Sequence, residues 1–496
     1  MNRIPTTFLY LLPLILCLVS VVSCNRPDTD DNIELQFSIR TNNSDIQFPS
    51  PTVHFDTIFS GTGSITRRFT VHNPSSNDVT TTIFLAGGKK SYYSINVNGV
   101  PGTVNNESYF KDITIPKKDS IFIFVKVNIN PSLQNNPFLV NDSIVFLTGQ
   151  RKQDVKLLAY GQDAHFIIAD QGHPSLRFKV VAGEHEVVRW TNEKPYVVFG
   201  WAAIDSTGTL EIEAGTRIHF HSNSGLWAYR CSNLKVGNQD GTLGEPVIFR
   251  GDRLESWFNE DYAQWSRIWI NEGAQVTINN ALITNAFVGV QVEALPYDNG
   301  TIDLTHDSSV KIENTIIRNT QNYGVLSRFL NIEMTNCVIT NNGASSLQLE
   351  GGEYTMKHLT IGNYFRQAER KLPACYVSNK VSVYNDFPMD VNAEFINCII
   401  TGKLETEIEV KKGEKANLKV AFQSCLVKSK NDSDYFDEYC LRNEDPKFTD
   451  TDKLDFRLLP ESPAIGRGRS GIGVDKDILG NSRGDKPDIG AYQFGR

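Results

Sequence analysis

One short phrase of apolar residues, framed by turn residues, recurs between Asn280 and Lys428. It reads Asn280-Ala-Leu-Ile-Thr-Asn285, Asn314-Thr-Ile-Ile-Arg-Asn319, Asn336-Cys-Val-Ile-Thr-Asn341, His358-Leu-Thr-Ile-Gly-Asn363 and Asn397-Cys-Ile-Ile-Thr-Gly402, with a worn copy at Ser424-Cys-Leu-Val-Lys-Ser429. Asn314, Asn336 and His358 follow one another at intervals of 22 residues. Each phrase is too short for a helix and rich in Ile and Val, so it predicts one strand. The Asn or Gly that follows tolerates the left-handed conformation a turn needs. Self-similarity at this period marks stacked supersecondary units. One strand and turn after another, repeated once per coil, predicts a right-handed parallel β-helix. The wider gaps before Asn397 and Ser424 are expected to hold protruding loops or degenerate coils.

Upstream, Thr209-Leu-Glu-Ile-Glu-Ala-Gly215 alternates inward Leu210 and Ile212 with outward Glu211 and Glu213, then turns at Gly215. The β-helix is therefore predicted over residues 196–444. Residues 33–166 carry short strands separated by turn chemistry, among them Ile121-Phe-Ile-Phe-Val-Lys-Val-Asn-Ile129 and Val155-Lys-Leu-Leu-Ala-Tyr160. Such spacing without helical periodicity predicts an antiparallel β-sandwich. Residues 167–195 are expected to connect the two, with Trp190 and Tyr196 covering the first coil. Residues 445–496 are expected to close the stack, whose open edges need a C-terminal cap. The fold class is all-β.

The N-terminus adds a targeting signal over residues 1–23: Arg3, then an apolar core over residues 8–22. Residues 24–32, with Asp28, Asp30 and Asp31, form an acidic tether. A net charge of −8 argues against nucleic acid as a partner, because phosphate binding needs a concentrated basic surface.

Several stretches resemble known families. Val21-Val22-Ser23-Cys24 resembles the lipobox of bacterial lipoproteins. That resemblance implies that Cys24 is acylated and becomes the mature N-terminus, anchored in the outer membrane. The acidic residues that follow resemble a surface-export signal, which implies exposure on the cell surface. Phe55-Asp-Thr-Ile-Phe59, Phe69-Thr-Val71 and Asn73-Pro74 look like the immunoglobulin-like modules at the start of many bacterial surface lipoproteins. Gln264-Trp265 with Ile268-Trp-Ile270 resembles the opening coils of secreted right-handed parallel β-helix proteins, although Ser266 and Arg267 stand where that family often has two glycines. Arg457-Leu-Leu-Pro-Glu-Ser-Pro-Ala-Ile465 and Pro487-Asp-Ile-Gly-Ala-Tyr492 look like the closing segment of the same family.

Candidate chemistry is sparse. Polysaccharide-cleaving β-helices need clustered carboxylates on neighbouring coils. Here Glu293, Asp303 and Asp307 are expected in one insertion, Glu350 and Glu353 flank two glycines, and Asp390 and Glu394 stand alone, so solvent-facing acids are expected. Asp475, Arg483 and Asp488 are expected to fix turns. His219 and His221 share a strand face but lack a third ligand at a defined offset. Cys337, Cys398 and Cys425 hold one place in the phrase and predict an interior ladder of small side chains. No cofactor or metal is expected. The densest chemistry is aromatic: Arg253, Trp257, Tyr262, Trp265 and Trp269 form the candidate ligand surface, since flat rings stack on sugars and arginine recognises acidic groups. Tyr364-Phe-Arg366 is a second candidate. These features favour a lipid-anchored envelope protein acting as a non-catalytic glycan-binding or scaffold module. The alternatives are a polysaccharide lyase or glycoside hydrolase acting on the β-helix face, and a structural partner of an outer-membrane protein complex.

Overall fold

The computed structural model describes residues 33–39, 50–61, 63–102, 108–129, 138–255, 258–296, 301–306, 308–384, 386–430 and 434–495. The targeting signal, Cys24, the acidic tether, Trp257 and Asp307 lie outside them. The chain divides into two compact units at Asp163 and Ala164, and among the described residues neither contains an α-helix.

The first unit is a β-sandwich, with two five-stranded sheets among the described residues. Alternation builds it: along Val79–Leu85, the residues Val79, Thr81, Ile83 and Leu85 face inward and are buried. Phe55, Phe69, Val125, Phe146 and Leu157 fill the core. All its strand pairs are antiparallel except one, in which Arg151–Gln162 runs parallel to Thr52–Phe59.

The second unit is a right-handed parallel β-helix with three sheets of eleven, ten and nine strands among the described residues. Sheet I begins at His165–Ile168, sheet II includes Leu176–Ala182 and sheet III begins at Val187–Trp190. The stretch expected to be a connector is thus the first coil: its strands pair in parallel with those of the next. Alternation there is masked by exposed polar residues, since a terminal coil has one free side. Trp190 and Tyr196 stack at 4.4 Å and cover the core at this end.

The repeated phrase supplies sheet I. Its second and fourth residues point inward, as Cys337 and Ile339 do, and its third and fifth point outward. The first residue of all six copies is left-handed, with φ between 49° and 55°. Asparagine suits the position twice over, because it tolerates this conformation and its amide can bond its neighbour on the next coil. Asn336 Nδ2 donates to Asn314 Oδ1 at 3.2 Å, Asn314 Nδ2 to Asn279 Oδ1 at 2.9 Å, and Asn341 Nδ2 to Asn319 Oδ1 at 2.7 Å. Cys337, Cys398 and Cys425 are fully buried free thiols inside the stack.

Outward apolar residues of the phrase need a cover, and the C-terminal segment provides it. Phe456 and Ile478 pack with Val338, while Leu458, Ala464 and Ile489 pack with Ile399 and Leu426. Polar contacts fix the register: His358 Nδ1 lies 3.2 Å from Gly490 O, Asn397 Nδ2 donates to Arg469 O at 2.9 Å, and Arg483 Nη2 donates to Asn336 Oδ1 at 2.7 Å. Arg483 N also donates to Asp475 O, and the Asp488 carboxylate accepts from Gly466 N and Phe494 N, which sets the turns of the segment. The closing segment therefore runs back along one side of the stack. The end of the core is met by Tyr435, Phe436 and Cys440, with the Phe436 ring 5.1 Å from Phe422.

Candidate ligand-binding face

The aromatic cluster read from the sequence does not assemble into one surface. Trp265 is 1% exposed, stacks on Phe220 at 4.4 Å inside the core and donates its indole N–H to Thr284 O at 2.8 Å. It cannot touch a ligand, because its ring is inside the stack. Arg253 is paired with Glu255 at 2.8 Å and lies 4.6 Å over the Phe258 ring. Tyr262 packs against Phe365, with ring centres 5.6 Å apart. The second candidate closes likewise: Phe365 is buried, Tyr364 stacks with Phe456 at 6.3 Å, and Arg366 pairs with Asp452. Of the described members, Trp269 lies half-buried in an outward row of a sheet.

That face is the outside of sheet II. Its strands alternate simply: in Val290-Gln-Val-Glu293, Val290 and Val292 enter the core, and Gln291 and Glu293 point out. Val325–Arg328 and Leu347–Glu350 repeat the arrangement on the next two coils. In register, Trp227, Trp269, Gln291, Leu326, Gln348 and Tyr376 form one outward row, and Asn271, Glu293, Arg328, Glu350 and Ser378 the next. Glu293 is thus a strand residue, not part of an insertion, and both it and Glu350 are buried rather than solvent-facing.

Parallel coils stack side chains about 4.8 Å apart, so the alternation of charge matters. Arg328 sits between two carboxylates, with Nη1 3.1 Å from Glu293 Oε2 and Nε 3.2 Å from Glu350 Oε2. Glu293 Oε1 accepts from Trp269 Nε1 at 2.9 Å and from Gln291 Nε2 at 2.5 Å. Glu350 Oε1 accepts from Gln348 Nε2 at 2.7 Å and from Ser382 Oγ at 3.2 Å. Arg267 donates to Gln291 Oε1. Burial pushes its pKa down, and the charge of Glu293 opposes that shift. Tyr384 is pushed up by burial first and by Glu293 next.

At the N-terminal end of the rows, the half-buried indoles of Trp227 and Trp269 stack at 5.2 Å with 17° between planes, and Trp201 lies 5.6 Å from Trp269. Gly225 makes room for this: a Cβ there would fall 2.6 Å from the Trp201 ring. Trp227 Nε1 is fixed by Asn271 Oδ1 at 2.7 Å. The face thus offers flat rings beside amides and a guanidinium, the set that stacks on sugar rings and bonds their hydroxyls. Every carboxylate oxygen of Glu293 and Glu350 already accepts a hydrogen bond, so these groups orient their neighbours. Sequence reasoning named Trp269 but missed the rest of this face, although Val290-Gln-Val-Glu293 and Leu347-Gln-Leu-Glu350 repeat one pattern two coils apart.

Other expected residues are placed as follows. His219 is buried, with Nδ1 3.3 Å from Gly251 O, and His221 pairs with Asp252 at 2.7 Å. Asp390 accepts from Asn417, and Glu394 from Gln423. Among the described residues, no group of His, Cys, Asp and Glu is placed to hold a metal, and no helix is long and apolar enough to cross a membrane.

A family model agrees with the fold of the second unit. The family model described as "right handed beta helix region" matches residues 202–368. No curated protein matches the chain. Among solved structures, the catalytic unit of a GH87 α-1,3-glucanase from Streptomyces thermodiastaticus is similar at 10% identity, over 76% of this chain and 89% of that one, with a TM-score of 0.29. A family 123 glycoside hydrolase from Clostridium perfringens is similar at 10% identity over 27% of this chain and 30% of that one, with a TM-score of 0.18. The N-terminal domain of PorA is similar at 9% identity over 26% of this chain and 97% of that one, with a TM-score of 0.19.

Proposed function

We propose that this is a lipid-anchored cell-envelope protein that binds glycan along the outer face of sheet II without cleaving it. The observation that carries this reading is the stacked, half-buried pair Trp227 and Trp269 opening onto the Gln291, Arg328 and Gln348 rows. Arg328 commits Nε and Nη1 to carboxylates, and its Nη2 makes no bond within the described residues, which leaves donors for a ligand. A run of sugars laid across successive coils would meet one row position after another. Cleavage is disfavoured by the commitment of both glutamates to Arg328, since a general acid or base needs an oxygen free to give or take a proton at the scissile bond. The N-terminal sandwich, immunoglobulin-like in its motifs, serves as a spacer, and Cys24 carries the lipid that holds the chain at the outer membrane.

The test uses soluble protein beginning at Asn32 and a panel of neutral and acidic polysaccharides. New reducing or unsaturated ends and bound protein are recorded from each sample. Binding without products, lost in Trp227→Ala and Trp269→Ala, is the expected result. Products abolished by Glu293→Gln or Glu350→Gln would make the protein an enzyme instead. Binding of no glycan would direct attention to a protein partner. Anchoring is checked separately: Cys24→Ala should move the full-length chain from the membrane to the soluble fraction.

A further inference from the structure

We infer that Arg250 and Arg318, on the outside of sheet I, form a covered binding site for an oxyanion group, a carboxylate or a sulfate. Phe249 pairs with Ile283 and Thr284 with Arg318, so Arg250, Thr284 and Arg318 follow one another up a single outward row. At about 4.8 Å per coil, the two arginines stand roughly 10 Å apart at the backbone, within reach of one small ligand. No ion pair is formed by either guanidinium among the described residues. Arg250 donates to Arg253 O at 3.2 Å and to Asn259 Oδ1 at 3.0 Å, and the Arg318 guanidinium makes no hydrogen bond among the described residues. Burial lowers the pKa of both, and the charge of Arg318 lowers that of Arg250 further; Glu260 first and Tyr492 next oppose this at Arg318.

The row is roofed by residues 258–264. Asn285 Nδ2 holds this roof by donating to Asn259 O at 2.9 Å and Asp261 O at 2.6 Å, and Gln264 Nε2 donates to Phe258 O at 2.6 Å. In the row, the turn that follows it and the roof, five buried polar atoms have no partner among the described residues: Arg250 Nε, Arg318 Nε, Thr284 Oγ1, Asn285 Oδ1 and, in the roof itself, Gln264 Oε1. Thr284 and Asn285 are 4% and 0% exposed. Buried polar atoms are almost always bonded, and a buried charge left unpaired is costly. Two cationic N–H donors with a hydroxyl between them are complementary to an oxyanion, and charge-assisted bonds of this kind are the strong ones. The two amide oxygens add acceptors, which favours a carrier that also bears hydroxyls, such as an acidic sugar, over a free ion.

This site is separate from the Trp227 and Trp269 face, so the two are tested apart. Calorimetric titration of the chain beginning at Asn32 would use glucuronate, sodium sulfate and glucose at matched ionic strength. Saturable binding of glucuronate or sulfate, with glucose silent, is expected; a glucuronate signal assigns an acidic sugar, and a sulfate signal alone assigns a sulfate group. Arg318→Gln and Arg250→Gln should each weaken binding about tenfold or more, while Trp227→Ala leaves it unchanged. The wild-type titration needs no variant to fold. Silence toward both anions, or wild-type affinity in both arginine variants, would overturn the site and leave the five atoms to water.

Discussion

On sheet I, the outward residues Ile316, Val338, Ile399 and Leu426 lie beneath the C-terminal segment, which adds Phe456, Leu458, Ile478 and Ile489 to them. On sheet II, the outward rows of the same coils carry Gln291, Glu293, Arg328, Gln348 and Glu350, bonded to one another across the strands. Both sheets are parallel, and parallel strands are ordinarily covered on both faces. Sheet I meets that requirement with a second apolar layer. Sheet II meets it with side chains that satisfy each other, charge alternating from coil to coil. A face built the first way is committed to the fold. A face built the second way keeps groups that can exchange a neighbour for a ligand.

The largest effect should come from the covered face. Phe456 is 1% exposed, meets Phe448 edge to face at 5.0 Å and stacks with Tyr364 at 6.3 Å. Phe456→Ala should cost about 3–5 kcal/mol of β-helix stability, by lost transfer energy and the cavity left behind. Urea unfolding measures it, and glycan binding by the folded fraction should be unchanged. A loss below about 1 kcal/mol would mean that the segment rests on the stack without contributing to it.

Next comes the charge row. Arg328→Met removes the cation between two buried carboxylates and should cost about 3 kcal/mol, because breaking a buried ion pair leaves an unmatched charge. Adding Glu293→Gln and Glu350→Gln to that variant should restore most of the loss. If the triple variant is no more stable than the single one, the three residues are not acting as a unit.

A pH dependence separates the faces further. His358 takes the place that Asn holds in neighbouring copies of the phrase, left-handed at φ 53°. Its Nε2 accepts from Asn397 Nδ2, and burial, with Arg483 next, pushes its pKa down from 6.5 to about 3. The unfolded chain therefore binds the proton more readily. The contribution is complete above pH 6.5 and is lost as pH falls toward 3. Between pH 6.5 and about pH 5 the loss should be about 2 kcal/mol. His358→Asn keeps the conformation and should remove this share of the slope in urea unfolding at the two pH values, while His219, pushed down to about 3 by burial, keeps its own.

How much of this was legible follows from the same contrast. The sheet I phrase showed itself because left-handed asparagines at fixed offsets frame every copy, and no insertion interrupts Asn314, Asn336 and His358. Its outward Ile316, Val338 and Ile399 also carried an unread message: a strand apolar on both faces needs a cover. The sheet II rows were hidden because loops of unequal length, after Glu293 and after Asn363, destroy the period for Glu293, Glu350 and Tyr376. Trp265 misled for a related reason. Composition groups it with Trp257 and Trp269, but it sits in a turn before the strand Ile268–Ile270, and its ring points into the core.

The smallest expected change in stability is at Trp269. Its ring lies on the outer face, half-buried, held by Trp227 on one side and by Glu293 through its indole N–H. Trp269→Ala opens no core cavity, so its cost should be about 1 kcal/mol, the worth of an aromatic pair beyond area. Glycan binding should fall roughly 30-fold, since a central aromatic anchor contributes about 2 kcal/mol. Trp269→Phe keeps a stacking face but loses the bond to Glu293, and should bind between the two. The ratio of the effects is the decisive quantity. A residue of the covered face lowers stability and spares affinity; one of the ligand face does the reverse. A Trp269→Ala variant that loses several kcal/mol and binds as before would place sheet II with sheet I, as a face spent on the fold.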